Sequence, residues 1–192
     1  MDQDESPAGI AMRARLLAEF RQECEATALE RVDRYLRVQH HLIVGDTPFA
    51  PASAECIALF RDGHFYGCIS LSQAVGEAIV RHMCQSNQWR PAQDFEENVR
   101  TLKQREFIDE EVEGILLGLW QSRNDYHHLN DNIATDHATL QDFAFAKIRA
   151  LTKIETWVFG FSSGEGGLIL RHPQYWPKKS QGKAGAFLRI DL

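Results

Sequence analysis

Apolar residues recur every three or four positions through most of the chain, the spacing that places them on one side of an α-helix. Ser6-Pro7 supplies an N-cap and a first-turn proline. Leu16, Leu17, Phe20, Cys24, Ala28, Val32 and Leu36 carry the helical period to about Gln39, a run long enough to expect one bend. Gly45-Asp46-Thr47-Pro48 and Pro51 mark a loop. A short helix is expected from Ala52 to Phe60, ended by Asp62-Gly63. In the next, Phe65, Cys68, Ile69, Ser72, Val75, Gly76, Ile79, Val80 and Met83 form one stripe up to about Cys84. Small residues along it, including Gly67, Ser72 and Gly76, predict close approach by neighbouring helices. After Pro91, the residues Phe95, Val99 and Leu102 give a shorter amphipathic helix.

Asp109-Glu110-Glu111 opens a further helix, because carboxylates there meet the positive end of the helix dipole. Val112, Ile115, Leu116, Leu119 and Trp120 are its inward stripe, and the helix is expected to run on to His128. A turn at Asn130-Asp131-Asn132 and a cap at Thr135 or Asp136 precede the last helix, whose stripe is Leu140, Phe143, Ile148, Leu151, Ile154 and Val158. Beyond Gly160 the pattern changes. Ser162 to Gly167 reads as a linker, and Leu168-Ile169-Leu170 and Ala186-Phe187-Leu188-Arg189-Ile190 read as paired strands. The expected fold is mostly α: an N-terminal helical region over 1–50, a helical bundle over 51–160 and a small C-terminal β-hairpin over 161–192.

The chain has 192 residues with 44% hydrophobic residues, enough for a sizeable core. No apolar run approaches the ~18 residues that span a bilayer, so no membrane is expected as a partner. The acidic start, Met1 to Pro7, lacks an apolar signal segment, and the expected location is cytoplasmic. Cys24, Cys56, Cys68 and Cys84 are too widely spaced for a metal motif and read as reduced thiols. A net charge of −6 argues against a protein sheathed in nucleic acid but leaves room for a local basic site. Arg171, Lys178, Lys179, Lys183 and Arg189 lie between Gly166 and Ile190 with no acidic residue among them. Tyr175-Trp176-Pro177-Lys178-Lys179 mixes rings and cations, which suits base stacking and phosphate contact as well as it suits a hairpin packed on the bundle.

Arg123 continues an inward-facing stripe, and His127 follows four residues later on nearly the same face. A charge so placed is costly to bury unpaired. Either its stem packs while its head reaches water, or it faces a cleft or a subunit interface. The segment Arg123-Asn124-Asp125-Tyr126-His127-His128 resembles the motif of HEPN-type ribonucleases: an arginine, often followed by a polar residue, then four to six intervening positions and a histidine. The resemblance covers roughly Phe65 to Val158, with the small-residue helix from Phe65 matching the family's early helix. It implies a HEPN-like bundle and a metal-independent endoribonuclease without cofactor, in which a homodimer brings two motifs together. Family spacing assigns the histidine to His128, with Asn124 orienting it or the phosphate, whereas the shared helix face favours His127. The resemblance also implies a toxin or antiphage role, with an antitoxin or regulatory protein as partner. RNA is the expected substrate, held further by Lys178, Lys179, Lys183 and Trp176.

Other readings remain open at this point. A HEPN-like module without catalysis could bind RNA, a nucleotide or a protein. His127, His128, Asp131, Asp136 and His137 are close in sequence and could ligate a metal, although no HExxH or His-x3-His pattern is present. Glu77 either pairs with Arg123 or faces solvent, and His40-His41 suits the negative end of a helix dipole.

Overall fold

The computed structural model describes residues 6–39, 42–165, 167–178 and 184–189. His40, His41, Lys179 and Lys183 lie outside them. The chain divides into two compact units, Met1–Arg37 and Val38–Leu192.

The first unit is a single helix, α1 (Pro7–Arg37), unbroken where the sequence suggested a bend. Ser6 caps it by accepting from the Gly9 amide at 3.2 Å. Its apolar residues, among them Leu16, Phe20, Leu29 and Leu36, are exposed.

In the second unit, β1 (Leu42–Gly45) leads into α2 (Ala50–Asp62). Pro51, read from sequence as loop, occupies the first turn of α2, where a missing amide costs nothing. Gly63 ends α2 at φ 83°, a left-handed conformation that costs glycine least. α3 (Phe65–Ser86) is the central helix and packs against α2, α4 (Phe95–Gln104), α5 (Glu110–Trp120), α6 (Arg123–His128) and α7 (His137–Val158). The small residues of α3 serve that packing, since a methyl at Gly76 would collide with Leu119 of α5. Asp94, Asp109 and Asp136 cap α4, α5 and α7 by accepting from the Glu97, Val112 and Thr139 amides at 2.7–2.9 Å.

The mostly helical class is as expected, and the C-terminal hairpin is present, but its strands are β2 (Phe161–Gly164) and β3 (Gly167–Leu170). Ser162 to Gly164, read as the start of a linker, therefore belong to a strand, and Gly167 opens its partner. β4 (Ala186–Arg189) pairs antiparallel with β1 instead, in the register Leu42↔Arg189 to Gly45↔Ala186. A buried ion pair anchors it: Arg189 Nη1 donates to Glu155 Oε2 at 2.6 Å and to Ser53 Oγ at 3.2 Å, and Nη2 donates to the Gln39 carbonyl at 3.0 Å. Arg189 thus belongs to the core and leaves the basic segment the sequence suggested. No helix among the described residues is long and apolar enough to cross a membrane.

Candidate functional site

The helix expected over 109–128 is broken. α5 ends at Trp120, Ser122 adopts a left-handed backbone (φ 60°), and α6 starts afresh at Arg123. A helix end leaves carbonyls without intrahelical donors, and here side chains from two other helices supply them. Lys147 Nζ of α7 donates to the Gly118 and Gln121 carbonyls, both at 2.8 Å. Gln73 Nε2 of α3 donates to the Leu119 and Gln121 carbonyls at 3.2 and 3.1 Å. Burial brings the Lys147 amine down to about 8, and the amine also lies 4.4 Å from the centre of the Phe143 ring. Neither residue was a sequence-level candidate, although each interrupts the inward stripe of its helix, which was the available signal.

The break sets Arg123 against Trp120, its guanidinium carbon 4.6 Å from the ring centre. Trp120 in turn stacks on Phe95 of α4, with ring centres 4.1 Å apart. Arg123 thus forms the outer layer of a ring–ring–cation stack, an arrangement that favours a planar guanidinium. Its side chain is 32% exposed, and Nη2 lies 4.0 Å from Glu77 Oε2. The Glu77 carboxylate is also ion-paired with Arg81, one turn on in α3. Glu77 therefore does face Arg123.

Tyr126 anchors α6: it is buried and stacks on Phe143 of α7 at 4.8 Å between ring centres. That leaves Asn124, His127 and His128 exposed around the outer surface of α6. His127 is held below its ordinary value of 6.5 by partial burial, by the Arg123 charge and by His128, while Glu77 opposes this. Arg123, Glu77, His127 and His128 therefore form one electrostatic group. Arg123 and Asn124 line an open cleft of about 590 Å³ together with Glu96, Trp120, Ser122 and Asp125.

The remaining expected site residues are dispersed. Trp176 is only 4% exposed and packs on Phe159, with ring centres 5.6 Å apart, so it is not placed to stack on a base. It is a packed ring, as the alternative reading had it, but it lies between β3 and β4 and not at a hairpin tip. Lys178 is exposed and bridges to Ala184 through the backbone. Asp136 Oδ1 is engaged in capping α7, and the His137 ring sits edge-on to Phe65 at 4.9 Å. Among the described residues no group of three or more His, Cys, Asp or Glu side chains could hold a metal ion. Burial pushes the Cys68 thiol up to about 12 and Cys84 to about 11. Cys56 rises in the same direction. All three are therefore poor nucleophiles, since reactivity needs the thiolate.

In comparisons with models of protein families, with curated proteins and with solved structures, this chain matches none.

Proposed function

We propose that this chain is a HEPN-type, metal-independent endoribonuclease acting in the cytoplasm, with a composite site formed where two copies of α6 face each other. The observation that carries the reading is the presentation of Arg123. A permanently charged, planar cation is stacked on Trp120 at the edge of an open cleft, with two exposed histidines on the same six-residue helix. RNA contains its own nucleophile. A base takes the proton from the 2′-hydroxyl, and the 2′-oxygen bonds to phosphorus. The bond to the 5′-oxygen breaks, and an acid protonates the departing oxygen. The products are a 2′,3′-cyclic phosphate and a 5′-hydroxyl. Histidine suits both proton transfers near neutral pH, and a guanidinium suits the charge accumulating on the phosphoryl oxygens. One copy presents a sparse set for these three roles, and a two-fold pair doubles it. An antitoxin or regulatory protein covering α6 would hold such an enzyme silent.

The test is cleavage of single-stranded RNA by purified protein in excess EDTA, with the ends of the products identified. Arg123→Ala should abolish cleavage without loss of fold. Cleavage that needs an added divalent ion, or that persists in Arg123→Ala, overturns the reading. A second reading, a HEPN-like module that binds without cutting, draws on Glu77: a carboxylate 4.0 Å from the guanidinium competes with phosphate for it. Binding without cleavage under every condition would favour that module.

A further inference from the structure

The Arg123 cleft is the first of three clefts linked in series by shared lining residues. A second cleft, of about 370 Å³, lies between α5 and α7 and shares Gln121 with it. A third, of about 430 Å³, shares Ile115 and Lys153 with the second. The middle cleft is lined by Lys147, Arg149 and Lys153 with no carboxylate, over a floor that includes Gly118. Lys147 is buried against the α5 carbonyls, which leaves Arg149 and Lys153 as its exposed cations. They stand one turn apart on α7, about 6 Å along the axis, close to the spacing of successive phosphates in an unstacked strand. Arg149 also lies 5.6 Å from the centre of the Phe145 ring. Beyond Lys153 the third cleft takes in Asp109 and Glu111 as well as Arg171, so carboxylates meet an anionic chain at that end. At the other end Glu96 and Asp125 flank the motif and leave Arg123 as the cation of that cleft.

We propose that the seam between α5 and α7 carries the phosphodiester backbone of a single-stranded RNA, from Lys153 and Arg149 past Gln121 to Arg123. The inference rests on the reading of α6 as an RNA-cutting site and adds where the strand lies on either side of the cut. It also assigns the phosphate contacts to α7 and not to the C-terminal lysine segment. Gly118 is what keeps the seam open: a Cβ there would meet nothing within 4 Å, so a larger residue fills the groove without straining α5.

The probe is a short, labelled, 2′-O-methylated single-stranded RNA, which binds but cannot be cut. Its affinity for the full chain is measured across a salt series, with thermal unfolding as a check on folding. Arg149→Glu/Lys153→Glu should weaken binding for every sequence and reduce the slope of log K against log salt by ~1.4, the loss of two single-strand phosphate contacts. Gly118→Leu, which changes no charge, should also weaken binding, and Arg123→Ala, which removes one phosphate contact, should reduce the slope by ~0.7. Unchanged affinity and slope in the double variant overturn the track, as does wild-type protein that fails to bind the probe at low salt. Preference for an acidic peptide over the RNA assigns the seam to a protein partner and also overturns it. If the double variant binds normally while Arg123→Ala abolishes cleavage of natural RNA, the track falls and the nuclease reading stands. If the seam variants lose binding but wild type never cuts RNA, the track stands and the nuclease reading falls.

Discussion

The Lys147 ammonium of α7 donates to the Gln121 carbonyl at 2.8 Å, across 26 residues of sequence. This bond, with its twin to Gly118, occupies carbonyls at the end of α5 and so permits the left-handed residue Ser122 and the restart at Arg123. It joins the hydrophobic core to the motif, because Lys147 is buried while Gln121 borders the cleft that Arg123 lines.

Lys147→Met keeps the stem and removes the donor. It should cost ~1 kcal/mol at neutral pH, because the part-buried Gly118 carbonyl loses its side-chain donor while Gln121 keeps Gln73. The wild-type pH dependence has a definite sign. Between a folded value of about 8 and the ordinary 10.5, the unfolded chain binds more protons at this amine than the native one. The contribution of Lys147 to unfolding free energy therefore rises with pH over that window. Urea titrations from pH 7 to 10 should show this rise in wild type and a flatter profile in Lys147→Met. Equal profiles would mean that the amine is not depressed.

The two histidines can be separated. His127 should titrate below 6.5 by NMR, because burial, Arg123 and His128 all disfavour its charged form. Arg123→Ala should raise its midpoint, and Glu77→Gln, which removes the opposing carboxylate, should lower it further. Under the proposed function His128→Ala loses most activity, ~10²–10⁴-fold for a general acid–base group, and His127→Ala loses much less. The reverse order would move the assignment by one residue and leave the reaction intact.

Arg189 and Glu155 test the anchoring of β4. Both side chains are essentially fully buried, at 0% and 1% exposure. Arg189→Met leaves a buried carboxylate without its cation and should cost ~3–5 kcal/mol, whereas Arg189→Met/Glu155→Leu should recover most of that loss. Chemical denaturation of the three proteins decides this. A double variant as unstable as the single one would show that shape, not charge, holds the strand.

Self-association is expected at the motif face, where Leu117, Leu129 and Tyr66 are exposed large apolar side chains. Sedimentation equilibrium at micromolar concentration should give a dimer, and Leu117→Glu/Leu129→Glu should give a monomer with reduced cleavage. A wild-type monomer that cuts RNA would remove the composite site.

Local periodicity determined most of the helices, because an inward stripe at three- and four-residue spacing can be read without knowing what it packs against. The same rule applied to the caps at Asp109 and Asp136, whose hydrogen bonds close within three residues, and to Arg123 and His127, adjacent on any helix that contains both. What only the tertiary structure decided has partners far away in sequence. Gln121-Ser122 carries no glycine or proline, and the break there arises from donors on α3 and α7, 48 and 26 residues distant. β4 pairs with β1 across most of the second unit, and Arg189 enters the core because Glu155 is there to meet it. Trp176, two residues before Lys178, reads equally well as a base platform or a packed ring, and Phe159, on a different segment, makes it the latter. Hydrogen bonding and burial satisfy groups wherever the chain brings them together, and a linear pattern records only the groups that are near in sequence.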